Sequence, residues 1–244
     1  MPCQSRIRRL RPGPVLMIAH LVVWYLVFLF SVTFHEYAHA RVAALFGDRT
    51  ALAGGYVTLD PTPHLKRSPM GLIFIPILTY LQVGWMMGWA SVPYDPTWGN
   101  RNPLRKAIMS AAGPAANFML ATMGWVALRA MLASHIISVA VRPTMDHWVD
   151  PVNFGGQSPV TAACYALQIL VDLNVILGLF NLMPVPPLDG AGVLEGLAPR
   201  KLGPIYDKLR DSVILGWVAL IIWWQLFDYV ASPVRMAVVM ALLR

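Results

Sequence analysis

"FHEYAHARVAALFGD" (34–48) closes an apolar run that starts near residue 14, and how this stretch is read decides the fold. A histidine, a glutamate and a second histidine sit at i, i+1 and i+4 in a segment otherwise suited to a bilayer interior. Ionisable groups are costly there, and where they persist they mark a functional site. On an α-helix His35 and His39 lie one above the other on one face, so both can offer a ring nitrogen to a single metal ion. Glu36 points about 100° round the helix, near enough to reach a metal-bound water without being a ligand. HExxH on a helix is the arrangement that holds zinc in this way. The plain alternative is a pair of core histidines met by chance. The chain has six histidines and two glutamates, so random placement gives the pattern on the order of once in a thousand such chains.

The surroundings of this stretch read as membrane. The 244 residues are 57% hydrophobic and 13% charged, with a mean hydropathy of +0.57, whereas a soluble domain is about a quarter charged. Apolar runs recur at 14–34, 70–92, 107–133, 160–182 and 212–231, and several reach the roughly 20 residues that cross a bilayer core. The expected fold class is an α-helical polytopic membrane protein, with about four full transmembrane helices plus a membrane-associated β-hairpin or re-entrant element. One membrane-embedded domain is expected over 1–244. It comprises a zinc-motif helix at 14–46, a strand and re-entrant region at 47–106, core helices at 107–133 and 160–182, and a C-terminal helix at 212–231.

The net charge of +7 does not point to nucleic acid. Basic residues fall in short clusters beside the apolar runs, as in "RIRRLRP" (6–12), "HLKRSP" (64–69) and "NRNPLRK" (100–106), where membrane proteins ordinarily carry them. Two cysteines, Cys3 and Cys164, exclude a disulfide framework and a cysteine-based zinc site. The basic start and the apolar stretch after it imitate a signal peptide. The run is too long for one, lacks a small-residue cleavage site and leads straight into the histidines, so it reads as a retained helix.

A catalytic zinc needs a third protein ligand and an open position for water. Leu45 stands where a histidine six residues after His39 would supply it, and no glutamate occurs between Glu36 and Glu195. His64, His135, His147 and the ten aspartates remain. Asp189 stands out among them, in "NLMPVPPLDG" (181–190). Pro184, Pro186 and Pro187 forbid a continuous helix there. Non-helical backbone at membrane depth is tolerated only when buried in protein or lining a wet cavity. A carboxylate on such a loop suits a metal ligand; the alternative is a proline-rich turn that leaves the membrane with Asp189 in water.

"HEYAH" (35–39), "AAGPAANF" (111–118) and "NLMPVPPLDG", in this order, resemble the site-2 protease family of intramembrane zinc metalloproteases. The resemblance spans about residues 30–200 and is strongest to the short bacterial subgroup without PDZ or CBS domains, which "FGDRTALAGGYVTLDPTPH" (46–64) and "GWASVPYDP" (88–96) also resemble. Tyr56 and Ser91 stand where that subgroup often has a basic residue. The resemblance implies one zinc ion per chain held by His35, His39 and Asp189, with Glu36 as general base. It implies that Asn181 holds substrate or the oxyanion, and that Asn117 is a polar residue of the core helix near substrate. Transmembrane proteins are the implied substrates and the lipid bilayer the implied surroundings; no oligomeric state follows.

Asp189 must meet His35 and His39, so an even number of crossings separates the two sites. The segment that fails to cross is expected to be 70–92, which contains Pro76, Gly71, Gly84 and Gly88 and lies between stretches that read as strands, "GGYVTLD" (54–60) and "WASVPY" (89–94). Gly54, Gly55 and Tyr56 then head a strand whose free edge can take an extended substrate. With that parity, loops 47–69, 93–106 and 184–211 share the active-site side. They carry Arg49, Lys66, Arg67, Arg101, Arg105, Lys106, Arg200, Lys201, Lys208 and Arg210, against Arg142 alone in loop 134–159. The positive-inside rule puts the site near the cytoplasmic face of the cell membrane; "RIRRLR" (6–11) dissents. Two rival functions remain at this level. A metal transporter or sensor would use Asp172, Asn174 and Asn181 as stepping stones, and an inactive scaffold would be expected to have lost Glu36.

Overall fold

The computed structural model describes residues 14–141, 147–152 and 158–244. Arg142, Cys3 and the "RIRRLR" stretch lie outside the described residues. Four helices are long and apolar enough to cross a membrane: α1 (Pro14–Leu45), α6 (Pro103–Ala133), α7 (Pro159–Asn181) and α10 (Val213–Leu243). Between them lie α2 (Thr50–Ala53), α3 (Thr62–Arg67), α4 (Met70–Val83) and α5 (Pro96–Arg101) on one side, and α8 (Asp189–Leu197) and α9 (Pro199–Asp211) before the last span. Proline opens α6 and α7, where its missing N–H costs nothing. Ser158 and Ser212 cap α7 and α10 by accepting from Thr161 N (3.1 Å) and Leu215 N (3.3 Å). The protein is a multi-pass membrane protein. Its outward helix faces carry apolar side chains that water would not tolerate in such number, such as Ile18 and Leu26 on α1 (60% exposed each) and Ile214 on α10 (76%).

Helix α7 is the central span, with 56% of its most apolar window buried, and α10 is the peripheral one, with 17%. Helix α10 is tied in by a bidentate ion pair: Arg235 Nε and Nη2 donate to Asp172 Oδ1 and Oδ2 on α7 at 2.6 and 2.8 Å. In a low-dielectric setting each of these charges needs the other. The C-terminal helix runs on to Leu243, past the expected end at 231 and through Pro233, because the apolar pattern resumes after Arg235.

Helix α4, which opens with a π-turn at Met70–Phe74, is about 21 Å long at the helical rise, short of the bilayer core. Gly84, at φ +78°, caps it in the left-handed conformation, and after a bend at 84–85 the chain returns without helix, turn or bend over 86–95. Gly88 and Trp89 cross directly over Gly71: a Cβ on Gly71 would lie 2.1 Å from Trp89 O, and one on Gly88 2.1 Å from Gly71 O. The element is therefore a helix too short for a span and a return that crosses back over its start. The strands expected at 54–60 and 89–94 do not form. At 54–60, side chains outcompete a ladder for the backbone: Asp60 N donates to Thr58 Oγ1 (3.0 Å) and Thr62 N to Asp60 Oδ1 (2.9 Å). The 89–94 stretch has no partner strand among the described residues.

The two-stranded antiparallel hairpin lies elsewhere, at the opposite end of the bundle: β1 (Ile137–Val139) pairs with β2 (Val149–Pro151). It packs beneath α6, α7 and α10 in a cluster with Leu128, Trp148, Cys164, Val239 and Leu242. Gln168 of α7 is its clasp. Its Oε1 accepts from Trp148 N (2.7 Å) and Val149 N (3.2 Å), while Nε2 donates to Val149 O and Cys164 O (3.3 Å each).

Candidate metal centre

His35, Glu36 and His39 lie in the last three turns of α1, each 5–7% exposed. The loop that breaks after α7 delivers Asp189 to them at the N-terminus of α8. Asp189 Oδ2 lies 3.1 Å from His35 Nε2 and 3.2 Å from His39 Nε2, and the two Nε2 atoms are 2.9 Å apart. A tetrahedral zinc shell with ligands at about 2.0 Å has edges of about 3.3 Å, so the three donor atoms fit one ion. The donor chemistry agrees. His39 Nδ1 lies 2.7 Å from Met109 O; a carbonyl only accepts, so Nδ1 carries the proton and Nε2 turns a lone pair towards the Asp189 oxygen. Two acceptors face one another there, and a cation between them satisfies both. The three residues form a group that can hold a metal ion.

Gly113 keeps this space open. It is the glycine of "AAGPAANF" on α6, and a Cβ there would lie 2.3 Å from His39 Nε2 and 2.5 Å from His35 Nε2. Any side chain at 113 would enter the volume that the nitrogens face.

A cavity of about 260 Å³ adjoins the three donors, and Glu36 and Asn181 line it. Asn181 ends α7 with Nδ2 donating to Leu177 O (3.0 Å), which leaves its second amide hydrogen for the cavity. The return contributes Ala90–Tyr94 to one wall. Another wall carries Lys106, which meets Glu195 Oε2 at 3.0 Å, and Arg210, which bonds the same carboxylate oxygen. Asp48 ties α1 to the return: it accepts from Thr50 N (2.9 Å), Thr50 Oγ1 (2.6 Å) and Asp95 N (2.8 Å). Burial works to raise its pKa, but those hydrogen bonds prevail and the shift is downward.

The structure thus brings together His35, Glu36, His39, Asn181 and Asp189, and leaves other expected residues apart. Asn117 has no exposure and does not line the cavity; its amide meets His35 Nδ1 (2.6 Å). Gly54 and Gly55 are exposed in the turn after α2, and Tyr56 packs on His64 (5.9 Å between centroids) and beneath Arg67; none of the three lines the cavity. His64 is buried beside Tyr56, while His147 pairs with Asp150 (2.9 Å) beside the distal hairpin. The supposed stepping stones are committed as well: Asp172 to Arg235, and Asn174 to Asn117 and Ser31. Sequence reasoning missed Gly113, although Gly113 and Asn117 stand at i and i+4 and so share the α6 face that meets the histidines.

Two histidines and a carboxylate in a metal-holding geometry, with a further carboxylate beside a small cavity at the end of an apolar bundle, define the class: a membrane metalloprotease. The family model described as peptidase family M50 matches residues 23–223, and the chain belongs to that family. Among its relatives is a Bacillus subtilis (strain 168) protein named as a zinc metalloprotease, YwhC, which is 34% identical over 224 residues, covering 90% of this chain and 87% of that one. Proteins named as the zinc metalloprotease Rip2 are 29% identical in Mycobacterium tuberculosis (strain H37Rv), over 86% of this chain and 74% of theirs, and 30% identical in Mycolicibacterium smegmatis, over 82% and 71%. No solved structure matches the chain.

Proposed function

We propose that this protein is an intramembrane zinc metalloprotease that hydrolyses peptide bonds within or near transmembrane segments of other membrane proteins. The observation that carries this reading is the convergence of His35, His39 and Asp189 at the end of a spanning helix, beside a cavity that Glu36 lines. One zinc ion per chain is the proposed cofactor. When bound, it supplies a Lewis acid and lowers the pKa of its water towards about 7. Glu36 takes a proton from the attacking water and returns it to the leaving amine. Asn181 donates its free amide hydrogen to the developing oxyanion. A substrate helix hides its peptide bonds in i→i−4 pairs, so it must unwind first, and segments weakened by Gly, Pro, Asn or Ser are favoured. The unwound strand has a backbone edge to lie against in Ala90–Tyr94, the place the sequence reading gave to Gly54–Tyr56.

The site is proposed to face the cytoplasm, supported by the basic loops around α3, α5 and α9. A cysteine placed in loop 93–106 is expected to react with an impermeant reagent only from the cytoplasmic side, and one in 134–159 only from the other; the reverse pattern overturns the orientation. The catalytic reading is tested by Glu36→Gln, with zinc measured by mass spectrometry and cleavage of a model transmembrane substrate by gel on one preparation. Zinc stays near one per chain while cleavage falls by ~10²–10⁴. Cleavage at the wild-type rate removes Glu36 as the base.

A further inference from the structure

A buried polar chain runs from His35 away from the cavity. His35 Nδ1 meets Asn117 Oδ1 at 2.6 Å, Asn117 Nδ2 donates to Asn174 Oδ1 at 2.8 Å, and Asn174 Nδ2 donates both to Ser31 Oγ and to Leu170 O, at 2.8 Å each. Asn117, Asn174 and Ser31 each have 0% exposure, on α6, α7 and α1 respectively. The proposed cleavage chemistry uses none of them directly.

One backbone atom fixes the sense of the whole chain. The Leu170 carbonyl can only accept, so the Asn174 NH₂ must face it. That turns Asn174 Oδ1 towards Asn117, where it too can only accept, so the Asn117 NH₂ must face Asn174. Asn117 then presents its own oxygen to His35, and His35 Nδ1 must carry the proton. The Nε2 atom is left with its lone pair directed at the Asp189 oxygen. We propose that Asn117 and Asn174 are positioning residues which, read outward from the Leu170 carbonyl, lock His35 in its metal-binding tautomer. His39 obtains the same lock in one step from the Met109 carbonyl. The longer route has a physical reason. His35 lies a full turn deeper in the bundle, and the α6 residue level with its Nδ1 is a side chain whose two ends look alike in shape and opposite in hydrogen bonding. A second amide is needed to decide which end faces the histidine.

This inference rests on the metal reading of His35, and its test separates the two. Zinc affinity is measured by chelator competition on purified full-length protein, with thermal unfolding in detergent as the control for folding. Asn174→Leu frees the Asn117 amide to turn its NH₂ towards His35, and the expected loss is about tenfold, within the range for removing a metal ligand's supporting partner. In that background Asn117→Asp is expected to bring affinity back to within threefold of wild type, because a carboxylate can only accept from Nδ1–H. A merely structural role gives the opposite result, since the second change adds a buried charge. Should Asn174→Leu fail to fold, Asn174→Ala with and without Asn117→Asp makes the same comparison: the single variant loses about tenfold and the double returns to within threefold of wild type. Wild-type affinity in the single variant at 174, or a double variant no tighter than the single, overturns the relay. Wild-type protein that holds no zinc overturns the metal reading beneath it.

Discussion

The two ends of the bundle handle polar groups in opposite ways. At the hairpin end, Gln168 sits at 2% exposure with both ends of its amide engaged by backbone groups of Trp148, Val149 and Cys164. Nothing is left over for a ligand, and the groups it satisfies are ones the chain would otherwise bury unpaired. At the metal end, each histidine spends one nitrogen on the protein and directs the other into a shared space. Asn181 spends one amide hydrogen and keeps one. Both ends are buried and rich in hydrogen bonds; what separates a fastening from a reactive site is the capacity left unspent, and that capacity all points at one place.

The comparison breaks most completely at Gly113. Gly113→Ala is expected to remove zinc and abolish cleavage together, since its Cβ falls within 2.5 Å of both Nε2 atoms; metal content and activity on the same sample check this, and an active, zinc-loaded alanine variant would mean that the nitrogens face something other than a metal. Asn181→Ala comes next. Loss of one oxyanion donor should lower kcat by ~10²–10³ with zinc content unchanged, as read by steady-state kinetics beside metal analysis. Gln168→Leu is the smallest. It is expected to lower stability by roughly 1–3 kcal/mol, seen as an earlier melt in detergent, while cleavage per zinc-loaded folded protein stays at the wild-type value. A catalytic defect in the folded Gln168→Leu protein would show that the two ends are not independent.

Much of the metal end was legible because its signals are local. HExxH lies within two turns of one helix, and three prolines within four residues announce where the chain must break before Asp189. Counting crossings requires that 70–92 not traverse the bilayer, and α4, at 14 residues (Met70–Val83), is shorter than the roughly 20 a span needs. The strand readings failed for a different reason. Alternation at 54–60 and 89–94 describes a side-chain pattern, but a strand exists only if a partner meets it, and local turns or isolation decided otherwise. The true hairpin was hidden because its two arms, ISV and VDP, are three residues each, too short to show an alternation. Asn117 was assigned to substrate because a sequence names the residue and not the direction it faces. Gly113 is harder still to read, since its contribution is an atom that is not there.

The return over Ala90–Tyr94 is held at both ends, by Trp89 N on Gly71 O (3.2 Å) and by Asp95 N on Asp48 (2.8 Å). Ordering a free backbone costs about 1–2 kcal/mol per residue in lost conformational entropy. For this strap that cost was met when the protein folded. On the proposed function, a substrate peptide laid along its edge would give up only its own freedom, so even a short and sequence-poor match would gain from every backbone hydrogen bond it made.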